Sequence, residues 1–422
     1  MAKKDKKCAF CGSPALSEVI DFGAVAVAGA FLKKEEFAKE KKYPLVIVFC
    51  TKCFAVQVRD HVDPKVLFAH DFYFSSAIKT LRDHFIEYAG EITARFLPQP
   101  KKAVVVEFGS NDGVLLKPLA DQGIGTVIGV DPAANIVKTV DDKRLTLVND
   151  FFTVPVAKQL IKKHGKADLV CANNVYAHIS DINGVTEATT TMLKDDGVFI
   201  FEVHYLGKII EGMQYDMMYH EHIYYYSLLA LQNHLARHGM AIFDLKPTPI
   251  HGGSYRYYAC KNGSKYAAQI SKSVEALRKN ELDLGYDTAA TYTKFASRVA
   301  HKREQLMTLL NALSKKGCMV AGYGASGRAN TIIQYCGITD KHLSYIIDDA
   351  PAKQGMYTPG SHLPIRNAEI LKTDAPGYLL VFAWSFFNEI AAKNTAFIEQ
   401  GGRMIVPLPE VRVTMYPSVT EV

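Results

Sequence analysis

The segment YDMMYHEHIYYYS, Tyr215 to Ser227, gathers more reactive side chains than any other stretch of the chain. His220, Glu221 and His222 set two imidazoles around one carboxylate, with Tyr215, Tyr219, Tyr224, Tyr225 and Tyr226 about them. An imidazole titrates near neutral pH and suits a general base, while a phenol can donate to an oxyanion as it forms. Tyr219, Glu221 and His222 are the residues assigned to such a site. H-x-H with a carboxylate also suits a metal, but one tripeptide cannot close a coordination sphere. Tyr224 to Tyr226 equally fit packing residues that open the helix expected over IYYYSLLALQNHLARHG.

Two further sets carry chemistry. Cys8-Ala-Phe-Cys11 and Cys50-Thr-Lys-Cys53 are paired C-x-x-C turns, and four such thiolates make a closed tetrahedral site for structural Zn2+. A redox C-x-x-C would be expected once, beside a βαβ pattern. The long insert between the pairs must fold as a small lobe. The other four of the eight cysteines, Cys171, Cys260, Cys318 and Cys336, lie in apolar surroundings and read as buried thiols.

The third set begins at VVVEFGSNDG, Val104 to Gly113. Three valines run into Glu107, then a Gly-x-x-x-Gly turn, Gly109-Ser110-Asn111-Asp112-Gly113, as at the carboxyl end of a buried parallel strand. Ligands of doubly wound sheets sit beyond such ends. The strand Thr126 to Val130 ends in Asp131-Pro132, and an acid at that distance suits ribose hydroxyls. Leu145 to Val148 leads to Asn149, Asp150, Phe151 and Phe152, a set suited to an adenine ring. Ala167 to Ala172 leads to Asn173, Asn174 and onward to His178, and Gly197 to Val203 ends in His204. Five strands finishing in polar residues on one edge describe a cofactor site. Acid, Gly-x-x-x-Gly and second acid look like a class I methyltransferase using S-adenosyl-L-methionine; a dinucleotide fingerprint would need G-x-G-x-x-G.

These residues require an α/β framework. A chain of 422 residues is too long for one ordinary core, and 48% hydrophobic with 22% charged residues suits a globular protein. No apolar run is long enough to span a membrane, MAKKDKKCAF lacks an apolar continuation, and a cytoplasmic location follows as the expectation. A net charge of +6 is too small and scattered to indicate nucleic-acid binding. Three units are expected: a zinc-binding lobe at 1–70, a Rossmann-like methyltransferase domain at 71–245, and a C-terminal Rossmann-like α/β domain at 246–422. In the last, His251-Gly252-Gly253-Ser254 precedes a strand at Tyr255 to Ala259, and its N–H groups suit an anionic group. Helices are expected near Ala267 to Leu282 and Thr288 to Ser314. Cys318 to Gly327 then gives a strand and a G-x-G-x-x-G turn, Gly322, Gly324 and Gly327, with Arg328 opening the next helix. By motif this is a dinucleotide site, but a helix N-terminus also suits a sugar-nucleotide diphosphate.

The order four-cysteine lobe, EFGSNDG, NNVYAHI, YHEH, HGGS, GYGASGRANTIIQYCG and PAKQGMYTPG resembles the three-domain NDP-sugar C-methyltransferases, over nearly the whole chain. The resemblance implies C-methylation of an NDP-4-keto-deoxysugar, commonly at C3, with a dTDP- or GDP-type substrate and no metal at the reacting centre. It implies a reactive centre lined by Tyr219, Glu221, His222, His178 and Tyr73. It favours a degenerate C-terminal domain that seats the sugar nucleotide without NAD. Substrate contacts are accordingly expected from Ser75, Ser76, His204, Tyr224, His251, Gly252, Gly253, Ser254, Gly324, Ser326 and Arg328. Near Tyr73 the sequence YFSSAIKT carries Ala77 and Ile78 where a more polar run would be expected. A monomer or weak homo-oligomer is anticipated. His222 is expected to act as base, oriented or charge-balanced by Glu221, with Tyr219 and His178 as oxyanion donors and either able to exchange roles with His222. An N- or O-methyltransferase on the same scaffold, or a non-catalytic zinc-containing nucleotide-binding protein, are the competing classes.

Overall fold

The structure, a computed structural model, describes residues 7–67 and 75–414. The N-terminal lobe is built on Leu16–Ala26, Lys42–Cys50 and Val56–Val58, joined antiparallel. Each C-x-x-C pair forms the same tight turn. Gly12 N–H returns to Cys8 O and Phe54 N–H to Cys50 O, both at 2.8 Å. The residue after each second cysteine takes a left-handed φ, +73° at Gly12 and +65° at Phe54. The turns bring all four sulfurs within 4.8 Å of one another, with Cys8–Cys53 at 3.5 Å and Cys11–Cys50 at 3.6 Å. Thiolates about 2.3 Å from zinc stand roughly 3.8 Å apart in a tetrahedron, so this donor set fits the ion.

The central sheet has seven strands: β1 (Val104–Phe108), β2 (Thr126–Val130), β3 (Leu145–Val148), β4 (Ala167–Asn173), β5 (Leu193–His204), β6 (Met240–Thr248) and β7 (Ser254–Lys261). Their spatial order is β6-β7-β5-β4-β1-β2-β3. The β1 to β5 strands pair in parallel, and β7 runs antiparallel between β5 and β6. The order reverses between β1 and β4, which opens a crevice at their carboxyl ends. All five residues of β1 are buried, as its apolar run requires. Helix Lys79–Phe96 covers one face through Leu81, Phe85, Tyr88, Ala89, Ile92 and Phe96, a helical spacing.

The strand after HGGS, placed with the C-terminal unit, is β7 of the central sheet, with Ser254 opposite His204. A hairpin carries the chain back into the sheet, and spacing of motifs does not reveal such pairing.

Helices Lys272–Asp283 and Ala289–Lys315 follow. The C-terminal sheet then combines Ile365–Arg366, Ile346–Ile347, Val320–Tyr323, Tyr378–Val381, Arg403–Val406 and Arg412–Thr414 in that spatial order. It is parallel apart from the last strand. Among the described residues no helix is long and apolar enough to cross a membrane.

The zinc-bearing lobe also recruits a distant strand: Tyr224–Tyr225 pairs antiparallel with Val56–Val58. Loss of the ion should therefore reach beyond the lobe. Cys50→Ser should abolish the single zinc measured per chain and lower the melting temperature by about 5 °C or more. An unchanged zinc content measured by elemental mass spectrometry would remove Cys50 from the site.

Candidate active site

The cofactor end of the crevice is set by β1 and β4. Glu107 lies on fully packed β1, and its Oε1 accepts from Asn173 Nδ2 at 2.9 Å. Its Oε2 and the Oδ1 of Asn173 are buried without a hydrogen-bond partner among the described residues. Burial, and then the neighbouring Asp131, Asp112 and Glu202 carboxylates, push the Glu107 carboxyl up to about 8, with the Asn173 hydrogen bond opposing them.

Gly109 follows at φ +66°, and a Cβ there would stand 2.4 Å from Val175 Cγ2. Only glycine fits. Asn111 also takes a left-handed φ, +48°, and its N–H donates to Asp131 Oδ2 at 2.9 Å, while Ala133 N–H donates to Oδ1 at 2.9 Å. Asp131 thus ties the end of β2 to the glycine turn. Ser75 N–H donates to Asn111 Oδ1 at 3.1 Å and Ser76 N–H to Asp112 at 3.1 Å, docking the pre-helix loop on the same turn. These two buried acceptors and this cradle fit S-adenosylmethionine. Glu107, Asn173 and the turn would hold it beside Asp131.

The second cluster lies on Tyr215–Tyr225. His222 Nδ1 stands 2.8 Å from Met217 O and Nε2 stands 2.9 Å from the Tyr219 hydroxyl. A carbonyl can only accept, so Nδ1 carries the proton. In the neutral ring Nε2 then holds the lone pair that accepts from Tyr219. His178 Nδ1 is fixed in the same way by Glu221 O at 2.6 Å, and the two imidazoles lie 5.0 Å apart, centroid to centroid. All three side chains are half-buried, open enough to meet a ligand.

The neighbours in this segment face elsewhere. Glu221 does not orient His222. Its Oε1 accepts Gly29 N–H from the lobe at 2.9 Å, and burial raises its carboxyl above the ordinary range. His220 turns the other way, Nε2–H donating to Pro44 O at 3.2 Å, and burial lowers it. The H-x-H pair therefore diverges because the chain turns between the two residues, His222 N–H donating back to Tyr219 O at 3.0 Å, whereas i and i+2 of an extended chain would share a face. Among the described residues the four cysteines form the one cluster arranged to hold a metal.

Other expected contacts divide. Gly113, at φ +78°, closes the cofactor turn, and Ser110 is buried under it. Phe151 is exposed beside Asp150 at the end of β3, where an aromatic face suits adenine. Phe152 is not available: it stacks on Phe108 at 5.0 Å in the core. Asn174 (φ +56°) sends its N–H to Glu202 O, shaping the loop after β4, and Pro132 is exposed after Asp131. Tyr224 is a packing residue. It is buried edge-on against Phe10, with its hydroxyl donating to Ser180 O at 2.8 Å. The helix expected to open on the three tyrosines starts at Leu228, capped by Ser227.

His204 ends β5, half-buried, beside the HGGS turn. His251 belongs to the short turn Ile250–Gly252. Gly252 and Gly253 admit Gln214 and Lys208, the nearest atoms to an added Cβ being 3.0 and 2.7 Å away. Ser254 Oγ donates to Ile250 O. Ser326 caps its own helix through Ala329 N–H, and Gly324 lies against Ala383. Arg328 is drawn to Asp216 rather than left to a substrate phosphate, its Nε standing 2.8 Å from Oδ2. Tyr73 lies outside the described residues.

One polar group had no counterpart in the sequence expectations. Glu202, fully buried on β5, holds His84 Nε2 at 2.8 Å and Arg256 Nε at 2.7 Å. Arg256 also reaches Glu91 at 3.0 Å and lies 3.5 Å from the centre of the Tyr88 ring. The signal was present as an acid inside the apolar strand VFIFEVH, which requires a buried cation opposite.

Glu107 gives a test by pH. Its usual value is 4.5 and its folded value about 8. Below 4.5 the carboxyl is protonated in both states; between 4.5 and 8 only the unfolded chain ionises, so folding stability falls; above 8 both are ionised and the loss is complete. Glu107→Gln should thus melt progressively higher than the unmodified chain as pH rises from 5 to 8, both without cofactor, and bind S-adenosylmethionine more weakly. A melting difference that stays constant across that range would refute the buried neutral carboxyl.

Comparison with known proteins accords with this geometry. Residues 8–68 match a family model described as a zinc binding domain, 81–245 a methyltransferase domain, and 249–409 a C-methyltransferase C-terminal domain. The C-methyltransferase NovU of Streptomyces niveus is 32% identical over 408 residues, covering 96% of each chain. A ubiquinone biosynthesis O-methyltransferase of Bartonella quintana is 28% identical over 152 residues, 33% of this chain and 61% of that protein. Among solved structures, magnesium protoporphyrin IX methyltransferase from Synechocystis PCC 6803 with bound SAH is 17% identical. The match covers 43% of this chain and 82% of that one, at a TM-score of 0.33. Matched end to end, with S-adenosylmethionine as methyl donor and a zinc-bearing lobe ahead of it, the chain belongs to the three-domain C-methyltransferases.

Proposed function

We propose that the protein methylates C3 of an NDP-4-keto-deoxysugar through an enolate, with His222 as the base. The observation carrying this reading is the hydrogen-bonded Tyr219–His222 pair, 2.9 Å apart, with His178 facing it. Carbon methylation needs a base, an oxyanion donor and alignment of two reactants, and this cluster supplies the first two on one short segment. The relative that shares nearly the whole chain is a C-methyltransferase, which supports carbon as the acceptor. Relatedness over nearly the whole chain to a C-methyltransferase supports a sugar nucleotide as substrate; its dTDP or GDP type, a monomeric or weakly homo-oligomeric state and a cytoplasmic location are part of the same proposal.

The residues divide the work as follows. His222 Nε2 takes the α-proton of the ketone, and Met217 O at Nδ1–H stabilises the imidazolium that results. Tyr219, released from Nε2, turns its O–H to the ketone oxygen, with His178 beside it, so the electron pair from the broken C–H bond rests as an enolate. Glu107, Asn173 and the glycine turn would hold S-adenosylmethionine, which would supply an electrophilic methyl group to the enolate carbon and leave as the neutral thioether. His222 then returns its proton to water.

Incubated with a panel of NDP-4-keto-deoxysugars in deuterated water, the enzyme should exchange the substrate's α-proton. With S-adenosylmethionine the product should gain one methyl group, located on C3 by NMR. His222→Ala should slow both by on the order of a thousandfold. Exchange at the unaltered rate in that variant would remove His222 from the base role, and methyl transfer to oxygen or nitrogen without exchange would overturn the enolate.

A further inference from the structure

Helix Gly327–Cys336 grows from the G-x-G-x-x-G turn, yet the first two glycines of that motif are explained by protein neighbours, while at Gly327 a side chain would meet only ordinary contacts. A Cβ on Gly322 would stand 2.8 Å from Phe382, one on Gly324 2.8 Å from Ala383, and one on Gly327 3.7 Å from Ala28 and Tyr219. Asp348, where a ribose ligand would be sought, accepts Ala325 N–H at 2.8 Å and Ala350 N–H at 2.9 Å, with Lys353 Nζ 3.4 Å away.

The helix instead grips Asp216–Glu221 at both ends. At the start, Arg328 Nε donates to Asp216 Oδ2 at 2.8 Å, with Nη2 equally near but off the hydrogen-bond line. Trp384 Nε1 donates to the same oxygen at 3.0 Å. Asp216 is fully buried. At the far end the hold is indirect. Asn330 Nδ2 donates to Ala28 O at 2.6 Å and Gln334 Oε1 accepts Ala26 N–H at 2.7 Å. The loop they fix presents Gly29 N–H to Glu221. Between these anchors lies Met217, whose carbonyl orients the His222 ring.

We propose that Arg328 is a positioning residue for the reaction, acting through Asp216 and the Met217 carbonyl on His222, and that this helix holds the catalytic segment rather than a dinucleotide. The assignment of His222 to chemistry rests on the function proposed above; the chain of contacts does not. Removing the cation leaves a buried carboxylate that must find water, so the segment beside it has to shift. Lysine keeps the charge but not the geometry of the guanidinium fork.

The test uses the full-length zinc-loaded protein. Arg328→Ala should lower kcat on the order of 10- to 100-fold, the cost of misplacing a reacting group. KM for the sugar nucleotide and Kd for S-adenosylmethionine should hold to about twofold. Arg328→Lys should recover part of the loss, and adding Asp216→Asn to Arg328→Ala should cost little more, since the pair acts as one unit. Ring 15N signals of His222, assigned with His222→Gln, should move in Arg328→Ala. If that variant does not fold, Arg328→Lys and Trp384→Phe are read by the same criteria. An unchanged kcat, a loss confined to KM, or unmoved His222 signals would overturn the positioning role, and micromolar binding of NAD+ by the unmodified protein would overturn the second half. If the unmodified protein shows no α-proton exchange, the proposed function fails, while the His222 signals still decide the role of Arg328.

Discussion

Among the described residues, strand Tyr224–Tyr225 pairs with Val56 and Gln57 of the lobe and with no strand of the central sheet. Val58 N–H takes Ile223 O at 2.8 Å, and Ile223 N–H takes Ala177 O at 2.9 Å. Buried backbone groups must be paired, so this short stretch is held jointly by its own domain, through Ala177 and Leu206, and by the lobe's sheet that the cysteine turns shape. His222, the proposed base, lies two residues before it. Order along this segment is thus coupled to the zinc-bearing lobe.

The framework was readable because strand identity depends on local pattern. Three valines before Glu107, and the acidic or amide residues ending β2 and β4, mark the carboxyl edge whatever the rest of the chain does. Side-chain direction is a different matter. YHEH folds as a turn, so its two histidines point apart, and nothing in the tetrapeptide says which of them faces the crevice. Packing against Pro44 and Gly29 decided it. Phe151 and Phe152 make the same point: both suit adenine by type, but Phe108 claims one of them. Asp216 lay inside the segment singled out for chemistry without receiving a role, since its partners come from more than a hundred residues downstream.

The two Rossmann-like units solve one problem in one way. Asp131 receives N–H groups from Asn111 and from Ala133 two residues on; Asp348 receives them from Ala325 and from Ala350 two residues on. Each acid braces its glycine turn against the next strand. The motif therefore records the mechanics of a strand–turn–helix joint before it records any ligand. Glu107 and Asn173 separate the two units: their buried, unmatched acceptors lie at the first turn, whereas the second is lined by Phe382, Ala383 and Tyr219.

Helix Gly327–Cys336 touches the catalytic segment directly and the lobe through Ala26 and Ala28, so the three units share a single seam. Modular descent would suggest that the C-terminal domain can be exchanged among relatives to alter substrate choice. A graft that leaves behind Asp216, or the loop carrying Ala26 and Ala28, would misalign the seam even if every exchanged domain folded perfectly. In this architecture the unit of inheritance is the interface, and recombination that respects domain borders would cut through it.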